Sequence, residues 1–113
     1  MKYMLLMYAD ESKGPQTPAE QQAIAPAWSG LAEDMKAAGV WLASSGLSPV
    51  ANATTVRVRE GKTLTTDGPF AETHEQLGGY FLLDCQDLDD ALHWAEKIPT
   101  ARYGSIEVRP LWS

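Results

Sequence analysis

The sequence predicts an α+β domain in which two helices pack on one face of a mostly antiparallel sheet. Three observations carry that prediction. Two segments repeat apolar residues at helical spacing behind capping residues, Thr17 in one case and Asp87 in the other. Six further segments either alternate polar with apolar residues or run apolar over strand-like lengths. The chain is 113 residues long, the size of a single domain spanning residues 1–113.

Taken in order, Lys2-Tyr-Met-Leu-Leu-Met-Tyr8 lacks polar alternation, which predicts a strand covered on both faces. Residues 10–16 form a polar loop. In Thr17-Pro18-Ala19-Glu20, Thr17 can cap, Pro18 suits the first helical position and Glu20 completes a capping box. The helix that follows aligns Ile24, Trp28, Leu31, Met35 and Ala38, and Gly39 ends it. Pro26 predicts a kink or a later start. Val40 to Leu47 reads as a strand. Thr54-Thr-Val-Arg-Val-Arg-Glu60 alternates, with Val56 and Val58 on one side and Arg57 and Arg59 on the other. Glu60-Gly61 turns it into a return strand, Lys62 to Thr66. Asp67-Gly68-Pro69 breaks the chain. Tyr80 to Cys85 is a further apolar strand. Asp87 caps a second helix with Leu88, Ala91, Leu92, Ala95 and Ile98 inward, and Ser105 to Leu111 is the last strand.

This order is that of a ferredoxin-like sandwich carrying an inserted β-hairpin. Two helices cover one sheet face only, whereas the strands at residues 3–8 and 80–85 are apolar on both. The expected cover is a second copy, giving a sheet-on-sheet homodimer with a cavity between the sheets.

Composition narrows the function. Hydrophobic residues make up 44% and charged residues 21%, as in a globular domain. Fifteen acids against nine bases give a net charge of −6, which argues against nucleic acid and against an anionic membrane as partners. The N-terminal apolar run, Tyr3 to Ala9, is too short to span a bilayer and lacks a cleavage signal, so a cytoplasmic location is expected. A single cysteine, Cys85, leaves no internal disulfide, and the acids beside it, Asp84 and Asp87, disfavour a thiolate nucleophile.

The densest chemistry lies in residues 67–80. Asp67 opens a tight Asp-Gly-Pro corner, where it either acts as a general base, orients His74, or caps its own turn. His74 stands between Glu72 and Glu75 and is either a catalytic imidazole or a solvated loop residue. Without a second liganding cluster, no metal is expected at Glu72, His74 and Glu75. Arg57 and Arg59 can hold an anionic substrate group, with Glu72 and Tyr80 completing the binding set, or serve as ordinary surface charges. His93 falls off the inner stripe of its helix, and Trp28 is expected to anchor the core rather than line a cavity. No P-loop, dinucleotide fingerprint or serine elbow occurs, so no cofactor is expected.

Asp67-Gly-Pro-Phe70 with Glu72, Glu75-Gln-Leu-Gly-Gly-Tyr80, the start Met1 to Tyr8, Thr54-Thr-Val-Arg-Val-Arg59 and the ending Ala101 to Pro110 together resemble the YCII-related, or DGPF-domain, family over essentially the whole chain. The resemblance implies a dimeric α/β barrel. It implies a cleft where the Asp-Gly-Pro aspartate, here Asp67, meets a histidine of the first helix. This helix has no histidine, Trp28 stands near its place, and His74 replaces the lysine usual in relatives. Two functions follow as expectations. One is a small cofactor-independent enzyme acting on a small molecule in the inter-sheet cavity, with Asp67 and His74 catalytic. The other is a ligand-binding or accessory regulatory module linked to an extracytoplasmic-function sigma factor.

Overall fold

A computed structural model describes residues 1–112. Strands β1 (Lys2–Ala9), β2 (Trp41–Gly46), β5 (Gln76–Asp84) and β6 (Ser105–Pro110) form one antiparallel sheet in the order β2-β5-β1-β6. Strands β3 (Thr54–Arg59) and β4 (Lys62–Asp67) form a separate two-stranded hairpin. Helices α1 (Pro18–Ala37) and α2 (Leu88–Ala95) complete the fold.

The capping box at α1 is fully made. The Glu20 N–H donates to Thr17 Oγ1 at 3.1 Å, and the Thr17 N–H donates to Glu20 Oε1 at 3.3 Å. With Pro18 at the first position, the helix begins there and runs through Pro26 to Ala37 without a later start. At its other end the Gly39 and Val40 N–H groups donate to the Lys36 and Met35 carbonyls, closing the last turn.

The core lies between the helices and one face of the four-stranded sheet. Strand alternation places Tyr3, Leu5 and Met7 of β1 and Phe81 and Leu83 of β5 in it, against Leu31 and Met35 of α1 and Ala91, Trp94 and Ala95 of α2. The inner stripe of α2 differs from the expected one. Leu88 and Leu92 are 48% and 45% exposed, and Trp94 is buried in their place. Helix α2 is only eight residues long, so the large ring that reaches the sheet decides its rotation. Its start is capped as expected, the Asp90 N–H donating to Asp87 Oδ1 at 2.9 Å.

The other sheet face carries Met4, Leu6 and Tyr8 of β1 and, by register, Leu82 and Tyr80 of β5. No helix covers it, and these side chains are half-buried by one another. Strand β5 begins at Gln76, four residues before the expected start at Tyr80. Gly78 and Gly79 weaken the sequence signal there. Yet Gly79 sits where neighbouring strands crowd it: a Cβ would lie 2.6 Å from Met7 Cε and 2.8 Å from the Ser45 carbonyl oxygen.

The β3–β4 hairpin turns on Glu60 (φ 51°) and Gly61 (φ 74°), both left-handed, the pattern of a two-residue turn matched to strand twist. Its register pairs Thr54 with Asp67, Val56 with Thr65 and Val58 with Thr63 on one face. Arg57 pairs with Leu64 and Arg59 with Lys62 on the other.

Among the described residues, no helix is long and apolar enough to cross a membrane.

Candidate functional site

A cavity of about 570 Å³ opens between α1, the end of the sheet where β1 finishes, and the loop at residues 10–16. It lies on the helix-covered face within one chain. Its walls are Trp28, Phe81, Met7 and Tyr103, with Ser29, Ser44 and Thr100 supplying hydroxyls. The Trp28 and Phe81 rings are stacked, with centroids 6.4 Å apart and planes 10° from parallel. Trp28 was expected to anchor the core; it does pack against it, but half-buried, with one side left to the cavity.

The mouth is polar, and Asp10 and Lys13 stand in it. Asp10 is fixed by Ser12, whose Oγ and N–H both donate to Asp10 Oδ1, at 2.6 and 2.8 Å. The Ser12 hydroxyl, then its N–H, then the charges of Lys13 and His74, hold the Asp10 carboxyl below its usual range. The group is therefore ionised at neutral pH, and its second oxygen is turned to no other protein donor among the described residues. Neighbouring bonds pin this loop. The Glu11 N–H donates to Gln76 Oε1 at 2.9 Å, and the Val50 N–H donates to Glu11 Oε2 at 3.0 Å.

A second cavity of about 340 Å³ adjoins the first, sharing Glu11 and Gln76, and Glu72 lines it. The six residues singled out from sequence thus divide. Tyr80 borders the main cavity, although alternation with the buried Phe81 aims its side chain at the open sheet face. Glu72 lines the smaller cavity, and His74 is exposed in the loop, within electrostatic reach of Asp10. Arg57, Arg59 and Asp67 belong to the hairpin and line neither cavity. Register puts Asp67 on the face opposite the two arginines. The Asp67 corner is held by backbone and hydroxyl, the Gly68 N–H donating to the Ala53 carbonyl at 2.7 Å and Thr55 Oγ1 donating to the Gly68 carbonyl at 2.8 Å. Arg57 Nη2 donates to the Phe70 carbonyl at 3.1 Å, which ties the corner to the hairpin. Residue-level reading missed Asp10, Lys13 and Tyr103. The signal for the first was Asp10-x-Ser12 directly after an apolar strand, a pattern that rigidifies a carboxylate.

Cys85 is buried, and burial pushes its thiol up to about 11; Asp90 and Asp84 add to the rise against the pull of the N-terminal ammonium. The unfolded chain loses this proton first, near 9.0, so unfolding is favoured increasingly as pH climbs from about 9 to about 11. Thermal denaturation across that range is expected to give a steeper loss of stability for the natural chain than for Cys85→Ala. Equal slopes would mean that Cys85 is not held in the apolar site described.

The sheet order and two helices on one face define a ferredoxin-like α+β domain. Within that class the chain belongs to the YCII-related domain family, whose model matches residues 1–113. It is 40% identical over 114 residues to an uncharacterised protein of Rhizobium meliloti (strain 1021), covering 98% of this chain and 92% of that protein. Its fold is similar to that of TftG, the 5-chloro-2-hydroxyhydroquinone dehydrochlorinase of Burkholderia phenoliruptrix AC1100 solved with 2,5-dihydroxybenzoquinone. That likeness has a TM-score of 0.50 at 11% identity and covers 99% of this chain and 94% of the other.

Proposed function

We propose that this chain is a small-molecule enzyme whose substrate is a compact, flat, hydroxyl-bearing ring compound held in the cavity beside α1. The observation that carries this reading is the pairing, in one cavity, of the stacked Trp28 and Phe81 rings with an ionised Asp10 at the mouth. Aromatic walls favour a flat apolar body, while a fixed carboxylate accepts a hydrogen bond from a ring hydroxyl. Lys13, in the same mouth, is placed to balance an oxyanion. Because Asp10 stays ionised at pH 7, it serves as anchor and counter-charge. The proton goes to the imidazole of His74, which stands within electrostatic reach of Asp10. A substrate hydroxyl then gives its proton to His74 and becomes an oxyanion facing Lys13. TftG, with a hydroxylated quinone in its structure, supports this substrate class by fold analogy. No step in this cavity falls to Asp67, Arg57 or Arg59 of the same copy.

The test uses 2,5-dihydroxybenzoquinone as the binding probe and 5-chloro-2-hydroxyhydroquinone, which can lose hydrogen chloride with no oxidant, as the turnover probe. Calorimetric titration is expected to give one bound probe per chain, and absorbance is expected to report turnover that His74→Gln removes while binding survives. Binding without turnover in the natural chain would overturn the enzyme reading. Absence of binding across the series would overturn the substrate class.

We propose further that a second copy covers the open sheet face. Met4, Leu6, Tyr8, Tyr80 and Leu82 present there a half-buried apolar surface that no helix covers, and two such faces match by symmetry.

A further inference from the structure

The β3–β4 hairpin gains little support from the rest of its own chain. Among the described residues, strands β3 and β4 pair with each other alone, and neither makes an extensive contact with another helix or strand. Val56 and Val58, adjacent on one face, are 62% and 59% exposed. A two-stranded hairpin alone in water is marginal at best, because it has no third layer to bury its apolar side. Here the register is regular over all six pairs and the turn is well matched, so the sequence is built to hold this shape.

The hairpin also projects outward. A compact chain of this length has a radius of gyration of about 13 Å, whereas this one measures 16.0 Å. Its least dimension is 19 Å, the thickness of one helix layer on one sheet. The hairpin thus extends sideways in the plane of the domain and folds over neither face.

Charge indicates what it meets. Three of the nine bases in the chain, Arg57, Arg59 and Lys62, share one face of the hairpin, opposed along the hairpin only by Glu60 and Asp67. The hairpin is net positive, and the remainder of the chain is more acidic than the whole at −6. A nucleic acid would meet a cationic hairpin attached to a strongly repelling body. A second copy of this chain instead offers the hairpin an acidic body and offers the valines an apolar surface.

We propose that the β3–β4 hairpin is an exchanged arm, each copy seating its Val56–Val58 face on the body of a second copy. The exchange is reciprocal, as a two-fold axis requires, so two arms close the assembly without leaving a free one. This rests on the two-copy reading above and goes beyond it, because face-to-face sheets alone leave both arms in solvent. The arm's net positive charge then lies over the acidic body of the partner, a long-range attraction that salt weakens.

The test places the photoreactive amino acid benzoylphenylalanine at Val58 of the full-length chain, with the same label at Glu96, after α2, as control. Sedimentation is expected to give dimers, and illumination is expected to give a covalent dimer from position 58 but not from 96. Dimers by sedimentation with no covalent product at 58 would overturn the arm while leaving the two-copy reading standing. Monomers at tens of micromolar would overturn both. Amide exchange on the unlabelled chain offers a second readout. Protection over Val56–Val58 and Thr63–Thr65 should be lost on dilution to monomer, and protection unchanged by dilution would contradict the arm.

Discussion

Trp28→Ala is expected to weaken binding of the hydroxylated quinone probe by about 30-fold or more, with Trp28→Phe retaining most of the affinity. Trp28 is half-buried, and its ring forms one wall of the cavity, parallel to Phe81. Truncation removes the stacking surface, for which aromatic pairs contribute about 0.5–1.5 kcal/mol beyond the area they bury. It also lets water into the space, so a total near 2 kcal/mol, or about 30-fold, is reasonable. Asp10→Asn should weaken binding as well, because the substitution replaces a charged acceptor of the ring hydroxyl's hydrogen bond with a weaker neutral one while keeping the shape. Calorimetric titration of folded variants, checked by circular dichroism, decides between these outcomes. Unchanged affinity in both variants would place the site elsewhere.

Leu5→Ala is expected to cost about 3–5 kcal/mol of stability, a large share of the 5–15 kcal/mol typical of a domain. Leu5 is fully buried on the central strand β1, between β5 and β6 and beneath both helices. Its removal leaves a cavity that the flanking strands cannot collapse without breaking their pairing. Urea denaturation should report the loss as a lower midpoint with little change of slope. The contrasting variant is Leu88→Ala, at a position the sequence pattern places inward and the structure leaves half-exposed. It should cost under about 1 kcal/mol. A large loss at Leu88 with a small one at Leu5 would invert the core described here.

The fold was more legible in the sequence than the site. Capping at Thr17 and Asp87, the hairpin turn at Glu60-Gly61 and the strand periodicities are local signals, and each stands in the structure where its residues put it. The errors arose where tertiary packing overrides local pattern. At α2, Trp94 displaces two leucines because a short helix rotates to bury its largest ring. At Pro26, nineteen other helical residues and a complete cap keep the helix start at Pro18 despite one missing N–H. The candidate site was harder. Residues 67–80 hold the densest chemistry in the sequence, yet the hairpin carries Asp67 away from the cavity. Asp10 sits in an ordinary polar loop, and only the folding of α1 and Tyr103 against the end of β1 turns that loop into a mouth. Family resemblance supplied one pointer: the first-helix position expected to hold a histidine is near Trp28, which does line the cavity.

The measurement that bears most directly on the central claim is a nitrogen–proton correlation spectrum of the labelled chain, recorded during titration with 2,5-dihydroxybenzoquinone. The cavity beside α1 predicts the largest shifts at Ser29, Ser45, Gly46, Gly78 and Tyr103, with the hairpin amides from Thr54 to Asp67 unmoved by the ligand. Shifts concentrated at Arg57, Arg59 and Asp67, with Ser29 and Gly78 silent, would contradict it.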